Sequence, residues 1–329
     1  MPRRSGDDWP RGCRVGEIKN CEEQERIRSS TAMPSFRKVA ILGTGLIGGS
    51  FGLALRRAGF GGAIVGWDRS EILDRAEARG AIDSGCTGLE AAVKDADLVL
   101  LSAPVGMIIE LSTQLPSRVS PGALVTDTGS TKQEICRIGF RAFAGKAALF
   151  LGGHPMAGKA PSGIEQADEK LFAGTVFVLV GESEAARSDA RAQKYLELLR
   201  SLGTEPVWMD AETHDWAVAM VSHLPQLVST AMAAVVADET DEDGLPVKLA
   251  GQGFADLTRL ASSPPEMWRD ICLTNQENIG RALDRLIARL EDVRRSLASR
   301  DLEEVFRRAQ LLRRPEKSEG RMSQKKDRG

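Results

Sequence analysis

The chain has 329 residues, room for about two domains at the usual ~100–200 residues each, and its 42% hydrophobic and 27% charged content is that of an ordinary globular protein. A formal net charge of −2 and a pI near 6.1 leave no basic footprint for nucleic acid. The five cysteines are odd in number and contain no CxxC pair, which argues against a disulfide framework or a zinc cluster and fits a reducing cytoplasm.

Residues 1–34 are polar and lack the apolar stretch of a secretory signal. They read as a disordered arm, with Met33, just ahead of the first strand, as a candidate true start. Over residues 35–210 short apolar runs alternate with helical spacing. Lys38–Leu42 is a strand, and Gly45–Gly59 a helix. Ala63–Trp67 is a second strand, followed by the charged helix Glu71–Arg79. Ala96–Ala103, Ala123–Thr128, Ala147–Leu151 and Thr175–Val180 read as further strands. A helix over Ser183–Leu202, with Ser183 as N-cap, and a strand over Glu205–Met209 complete the unit. This pattern predicts an α/β domain built on a doubly wound parallel sheet.

Strand signals stop at Ala211. Glu212–Asp238, Leu245–Ala261, Pro265–Gly280 and Arg281–Leu312 are helical, with Pro246 and the pair Pro264-Pro265 suited to helix starts. Residues 211–312 therefore form an all-helical second domain with apolar faces of the kind that pack or dimerise, and 313–329 read as a disordered polar tail. No run of about 18 apolar residues is evident, so no membrane span is expected.

Gly43-Thr44-Gly45-Leu46-Ile47-Gly48 follows a strand and opens a helix, the setting of a dinucleotide fingerprint. The first glycine allows the tight turn, the second lets backbone approach a pyrophosphate, and the third lets helix and strand lie close. Asp68 ends the next strand, where a carboxylate accepts hydrogen bonds from a ribose and disfavours a 2′-phosphate, so the cofactor is expected to be NAD. Ser102, Pro104 and Thr128 end later strands on the same edge and are candidate cofactor contacts; ordinary loop residues remain the plainer alternative.

The chain has three histidines: His154, His214 and His223. His154 follows an apolar run within a Gly-Gly-His-Pro stretch, which reads as an accessible loop. It is the foremost candidate to take a proton from an alcohol as hydride leaves. His214 and His223 are nine residues apart, about two and a half turns of regular helix, so they are expected to face opposite ways. His214 reads as a capping or packing residue, and for His223 both a structural and a binding role stand. Pro225 frees a backbone carbonyl nearby and is expected to kink the helix. No histidine pair has metal-site spacing.

These segments together resemble the prephenate/arogenate dehydrogenase family. The resemblance is carried by GTGLIGGS (Gly43–Ser50), DTGSTK (Asp127–Lys132), GHPMAG (Gly153–Gly158), His214-Asp215, SHLP (Ser222–Pro225), GFADLTRLA (Gly253–Ala261), and Trp268–Ile271 with Asn275. It implies an NAD-binding Rossmann domain, a helical dimerisation domain and oxidative decarboxylation of prephenate or arogenate in tyrosine biosynthesis. By the same resemblance His154 is the proton acceptor, Ser130 holds the ring hydroxyl, Arg259 binds a substrate carboxylate and His223 lies at the mouth of the site. Gln226 stands where many prephenate-using members have histidine, and it bears on the substrate side chain. The alternatives are a β-hydroxyacid dehydrogenase relying on Lys248, or a non-catalytic NAD-binding dimer.

Overall fold

Uninterrupted aliphatic runs are what a strand buried on both faces requires, and they form the sheet in a computed structural model that describes residues 36–158, 162–240, 244–299 and 301–313. The expected arm lies outside the described residues; Arg313 ends a helix, and the rest of the expected tail also lies outside them. The first half runs β1 (Lys38–Leu42), α1 (Leu46–Arg57), β2 (Ala63–Trp67), α2 (Ser70–Ala78), β3 (Ser84–Cys86), α3 (Leu89–Val93) and β4 (Leu98–Leu101). It continues with α4 (Val105–Gln114), β5 (Leu124–Asp127), α5 (Gln133–Phe143), β6 (Leu149–Pro155), β7 (Val176–Val180), α6 (Glu184–Ser188), α7 (Ala190–Ser201) and β8 (Glu205–Trp208).

The strands lie in the order β3-β2-β1-β4-β5-β6-β7-β8. Alternate residues of each strand feed opposite faces. Val39, Ile41, Leu98 and Leu100 join Phe51, Leu55 and Tyr195 on one side, whereas Ala40, Leu42, Val99 and Leu101 join Ile108, Leu111 and Phe150 on the other. Each fully buried large side chain of this kind contributes about 1.5–3 kcal/mol.

The sheet is parallel except at one junction. β6 pairs with β5 in parallel through Leu149–Leu151, then with β7 antiparallel through Gly152–Pro155. His154 is therefore a strand residue opposite Val178 and its ring is buried, which corrects the expected accessible loop. The strand extends through the glycines because β7 offers them a hydrogen-bonding partner. β3 was not foreseen from the sequence; its three residues, Ser-Gly-Cys, have neither the length nor the branching of a strand signal. The single helix expected over Ser183–Leu202 is two. Ser183 caps the first as foreseen, and Asp189 then starts the second by accepting from Arg191 N.

The second half is helical among the described residues: α8 (Ala211–Val218), α9 (Leu224–Asp238), α10 (Leu245–Lys248), α11 (Gln252–Thr258), α12 (Pro265–Thr274), α13 (Gln276–Ser296) and α14 (Asp301–Arg313). A π turn, Ala219–His223, joins α8 to α9 just before Pro225. Proline cannot donate to the preceding turn, and the wider turn absorbs that loss. The stretch Ala211–Asp238 reaches a mean hydropathy of 1.4 over an 18-residue window, long and apolar enough to cross a membrane, which corrects the expectation that no such stretch exists. It also carries five buried polar side chains, of which His214, Asp215, His223 and Gln226 each have a hydrogen bond inside the protein and Ser229 has none among the described residues.

Candidate active site

The dinucleotide cradle begins where β1 ends. Gly43 has φ +98°, and a Cβ on it would meet Ser102 O at 2.2 Å, so only glycine fits this turn. Gly48 packs its helix against the turn, a Cβ there coming within 1.9 Å of Gly43 O. Gly45, by contrast, faces open space: a Cβ would meet nothing within 4 Å. The N-terminus of α1 has no side-chain cap and no acid in its first turn, so its N–H groups are available to an anion. This cradle lies between β1 and β4, where the chain order reverses and such sheets bind nucleotides.

Asp68 is tied to the cradle. Its Oδ2 accepts Thr44 N at 2.8 Å and its Oδ1 accepts Arg69 N at 2.8 Å. A carboxylate has about four lone-pair sites, so acceptor capacity remains for ribose hydroxyls. Thr128 N donates to Leu101 O at 3.0 Å, and Thr128 Oγ1 lies 3.3 Å from Ser102 Oγ, so the ends of β4 and β5 are held together. Pro104, exposed, precedes α4. An uncapped helix end, open space at Gly45 and an oriented acid fit NAD.

Beside this edge lies a buried polar cluster. His154 Nδ1 and His214 Nε2 are 2.8 Å apart, and His214 Nδ1 and Asp215 Oδ1 2.7 Å. Asp215 in turn accepts Lys132 N on Oδ1 at 2.7 Å and Gln133 N on Oδ2 at 2.9 Å. Its backbone oxygen accepts Asn275 Nδ2 at 2.7 Å, and the same amide lies 3.2 Å from His223 Nδ1. His223 stands edge-on to Trp268, and its Nε2 is buried without a partner among the described residues. The π turn changes the helix phase, so all three histidines converge on one network, contrary to the expectation that His214 and His223 face apart.

Under the cluster runs a fully buried ion pair, Lys132–Asp127. Lys132 Nζ also donates to Gly153 O at 2.7 Å, while Asp127 accepts Gly153 N at 3.0 Å and Gly129 N at 2.8 Å. One pair thus clamps both the strand bearing His154 and the loop bearing Ser130. Ser130 is half-buried, and its hydroxyl has no hydrogen-bond partner among the described residues. Asp127, Lys132, Asp215 and Asn275 lie in the motifs that carry the resemblance, but their pairing across the chain could not be read from spacing.

Arg259 and Gln226 occupy a neighbouring region. Gln226 is buried; its Nε2 donates to Leu260 O at 2.7 Å and its Oε1 accepts Ser263 Oγ at 3.2 Å, so it holds the turn that presents Arg259. Arg259 is exposed, with no ion pair among the described residues.

Electrostatics keep the histidines neutral. Burial, then the neighbouring His214, Lys132 and His223, push His154 well below its ordinary value. Burial lowers His214 against the opposing pull of Asp215, and lowers His223 to about 4. Below pH 6.5 the unfolded chain binds protons that these buried rings refuse, so stability is full above that value and is lost as pH falls toward 4. The urea midpoint is expected to be lower at about pH 5.5 than at about pH 7.5, a range that leaves ordinary carboxylates ionised; an unchanged midpoint would contradict the burial of the three rings.

A cradle of this kind beside a neutral base belongs to the dinucleotide-dependent dehydrogenases. Residues 51–205 match the family description "Prephenate dehydrogenase, nucleotide-binding domain" and residues 210–311 match "Prephenate dehydrogenase, dimerization domain". The chain belongs to the prephenate dehydrogenase family. A prephenate dehydrogenase of Lactococcus lactis subsp. cremoris is 34% identical over 281 residues, 84% of this chain and 77% of the relative. A cyclohexadienyl dehydrogenase of Zymomonas mobilis is 30% identical over 287 residues, 85% of this chain and 96% of the relative. A crystal structure of prephenate dehydrogenase from A. aeolicus, in complex with hydroxyphenyl propionate and NAD+, is similar at a TM-score of 0.77 and 33% identity, covering 85% of this chain and 98% of that one.

Proposed function

We propose that this chain catalyses NAD-dependent oxidative decarboxylation of prephenate to 4-hydroxyphenylpyruvate, of arogenate to tyrosine, or of both, within tyrosine biosynthesis. The observation that carries the reading is a neutral His154 held beside a dinucleotide cradle in a chain of this family. Residues 35–210 form the NAD-binding domain in this reading, and 211–312 the helical substrate domain.

Bound NAD supplies the hydride acceptor. Gly43, Gly45, Leu46, Ile47 and Gly48 would cradle its pyrophosphate and Asp68 its ribose, with Ser102, Pro104 and Thr128 along the same edge. His154 accepts the proton of the ring hydroxyl, and Ser130 hydrogen-bonds that oxygen. Loss of the ring carboxylate as CO2 then returns an electron pair to the ring. In the net reaction the substrate gives up a hydride from its carbinol carbon to the bound acceptor and loses CO2 but frees no proton, because the aromatic product keeps its hydroxyl. His154 therefore returns the proton it took. Arg259 pairs with a substrate carboxylate, His223 offers its unpartnered ring nitrogen at the mouth of the site, and Gln226 acts on the substrate side chain through the turn it holds.

Exposed apolar residues on the helices, Val221, Val235, Leu273, Ile287 and Leu290 among them, support a homodimer formed through the helical domain. A small-molecule substrate is the only other partner in this reading, with no nucleic acid or membrane, and the unpaired Cys86, Cys136 and Cys272 support a cytoplasmic location.

Arg259→Ala is expected to raise KM several-fold with little change in kcat; an unaltered KM in initial-rate measurements would remove Arg259 from binding. The function is tested by following NADH formation with prephenate and with arogenate separately. Turnover of at least one is expected, and failure of both overturns the reading.

A further inference from the structure

We infer that His214 fixes the tautomer of His154, holding the proton on Nδ1 so that Nε2 is the atom that receives the substrate proton. This rests on the reading of His154 as the base.

Asp215 is the unambiguous acceptor at the inner end of this chain of hydrogen bonds. Both oxygens of Asp215 already accept backbone N–H groups, from Lys132 and Gln133, so Asp215 meets His214 as an acceptor. His214 Nδ1 must then carry the hydrogen, at 2.7 Å from Oδ1. A neutral imidazole has one N–H, which leaves His214 Nε2 a bare lone pair. His154 Nδ1, 2.8 Å from that lone pair, must donate to it. The remaining nitrogen of His154, Nε2, is thereby left unprotonated. Neutrality of both rings, on which each step depends, follows from their burial and from the Lys132 ammonium beneath them, which opposes a second positive charge.

The rings have little freedom to depart from this arrangement. They meet edge to face, with centroids 5.0 Å apart at 71°. Asp215 is fully buried and pinned at its backbone by Asn275. The chain ends at Asp215, whose carboxylate otherwise meets only backbone N–H donors among the described residues, so it offers no path for carrying a proton away. None is needed, because the proton on His154 Nε2 returns to the product hydroxyl. When His154 is transiently charged, its Nδ1–H still points at His214, and Asp215 supports that charge through His214. His214 is accordingly a positioning residue.

Imidazole 15N NMR of the whole enzyme reads the tautomer directly, since the chain holds three histidines and the variants His154→Asn, His214→Gln and His223→Asn assign them. In the unmodified enzyme near neutral pH the His154 signal is expected to show Nδ1 protonated and Nε2 bare. His214→Phe is expected to lose that state and lower kcat about 10–100-fold, the usual effect of removing a group that orients a functional histidine, with KM changed less than about twofold. His214→Gln, whose side-chain oxygen still accepts from His154, is expected to recover part of kcat. A His154 protonated on Nε2 in the unmodified enzyme would overturn the inference without any variant having to fold. Unchanged kcat in His214→Phe would overturn it equally. A His154→Asn enzyme with full kcat would instead overturn the reading of His154 as base, so the two failures are distinguishable.

Discussion

His154→Asn is expected to lower kcat roughly 10²–10⁴-fold, the span usual for a general base. Asparagine is the informative replacement because its amide nitrogen lies near the position of His154 Nδ1 and can still donate to His214 Nε2, 2.8 Å away in the native enzyme. The strand pairing of position 154 with Val178 is also preserved, so the cradle for the cofactor should be undisturbed. What the variant lacks is a nitrogen that can take and return a proton. Steady-state kinetics with equilibrium NAD binding measured alongside provide the check. Full turnover would remove His154 from the chemistry, whereas weakened NAD binding would mean that the replacement had disturbed more than the base.

Asp127→Ala is expected to be the most destabilising single change near the site. It leaves the Lys132 ammonium fully buried with Gly153 O as its remaining partner, and strips the acceptor from Gly129 N and Gly153 N. Removing one member of a buried ion pair costs about 3–5 kcal/mol, because the orphaned charge has no water to turn to. The double variant Asp127→Ala/Lys132→Met removes that charge and is expected to regain part of the loss, since a buried pair is often replaceable by apolar groups of similar volume. Urea unfolding of both variants separates the two contributions. A single variant within about 1 kcal/mol of the parent would show that the clamp is not buried as described. Because the pair grips both the His154 strand and the Ser130 loop, its loss should lower kcat as well.

Much of the fold was legible because its signals are local. The bounds of β1 and β2 follow directly from the apolar runs, and the glycine fingerprint falls on the tight turn after β1 and the uncapped start of α1. The boundary of strand signals at Ala211 likewise falls where the helical half begins. The three histidines stand out in the sequence, but the network that joins them does not. His154 was expected in an open loop because glycine and proline usually end a strand; only the distant β7 supplies the partner that extends β6 through them. His214 and His223 were expected to face apart because the count of nine residues assumes a regular helix. The π turn ahead of Pro225 breaks that assumption, and Pro225 was the available clue. The link from Asp215 to Lys132 and the support of Arg259's turn by Gln226 span stretches of chain that no periodicity connects.

The stoichiometry of NADH and CO2 formed by the purified enzyme with prephenate or arogenate separates oxidative decarboxylation from simple alcohol oxidation. Oxidative decarboxylation requires one CO2 for each NADH, with an aromatic product in the same amount. NADH formed without CO2 would mark a simple alcohol dehydrogenase of the β-hydroxyacid kind and contradict the account, and formation of neither would leave a dinucleotide-binding protein without this activity.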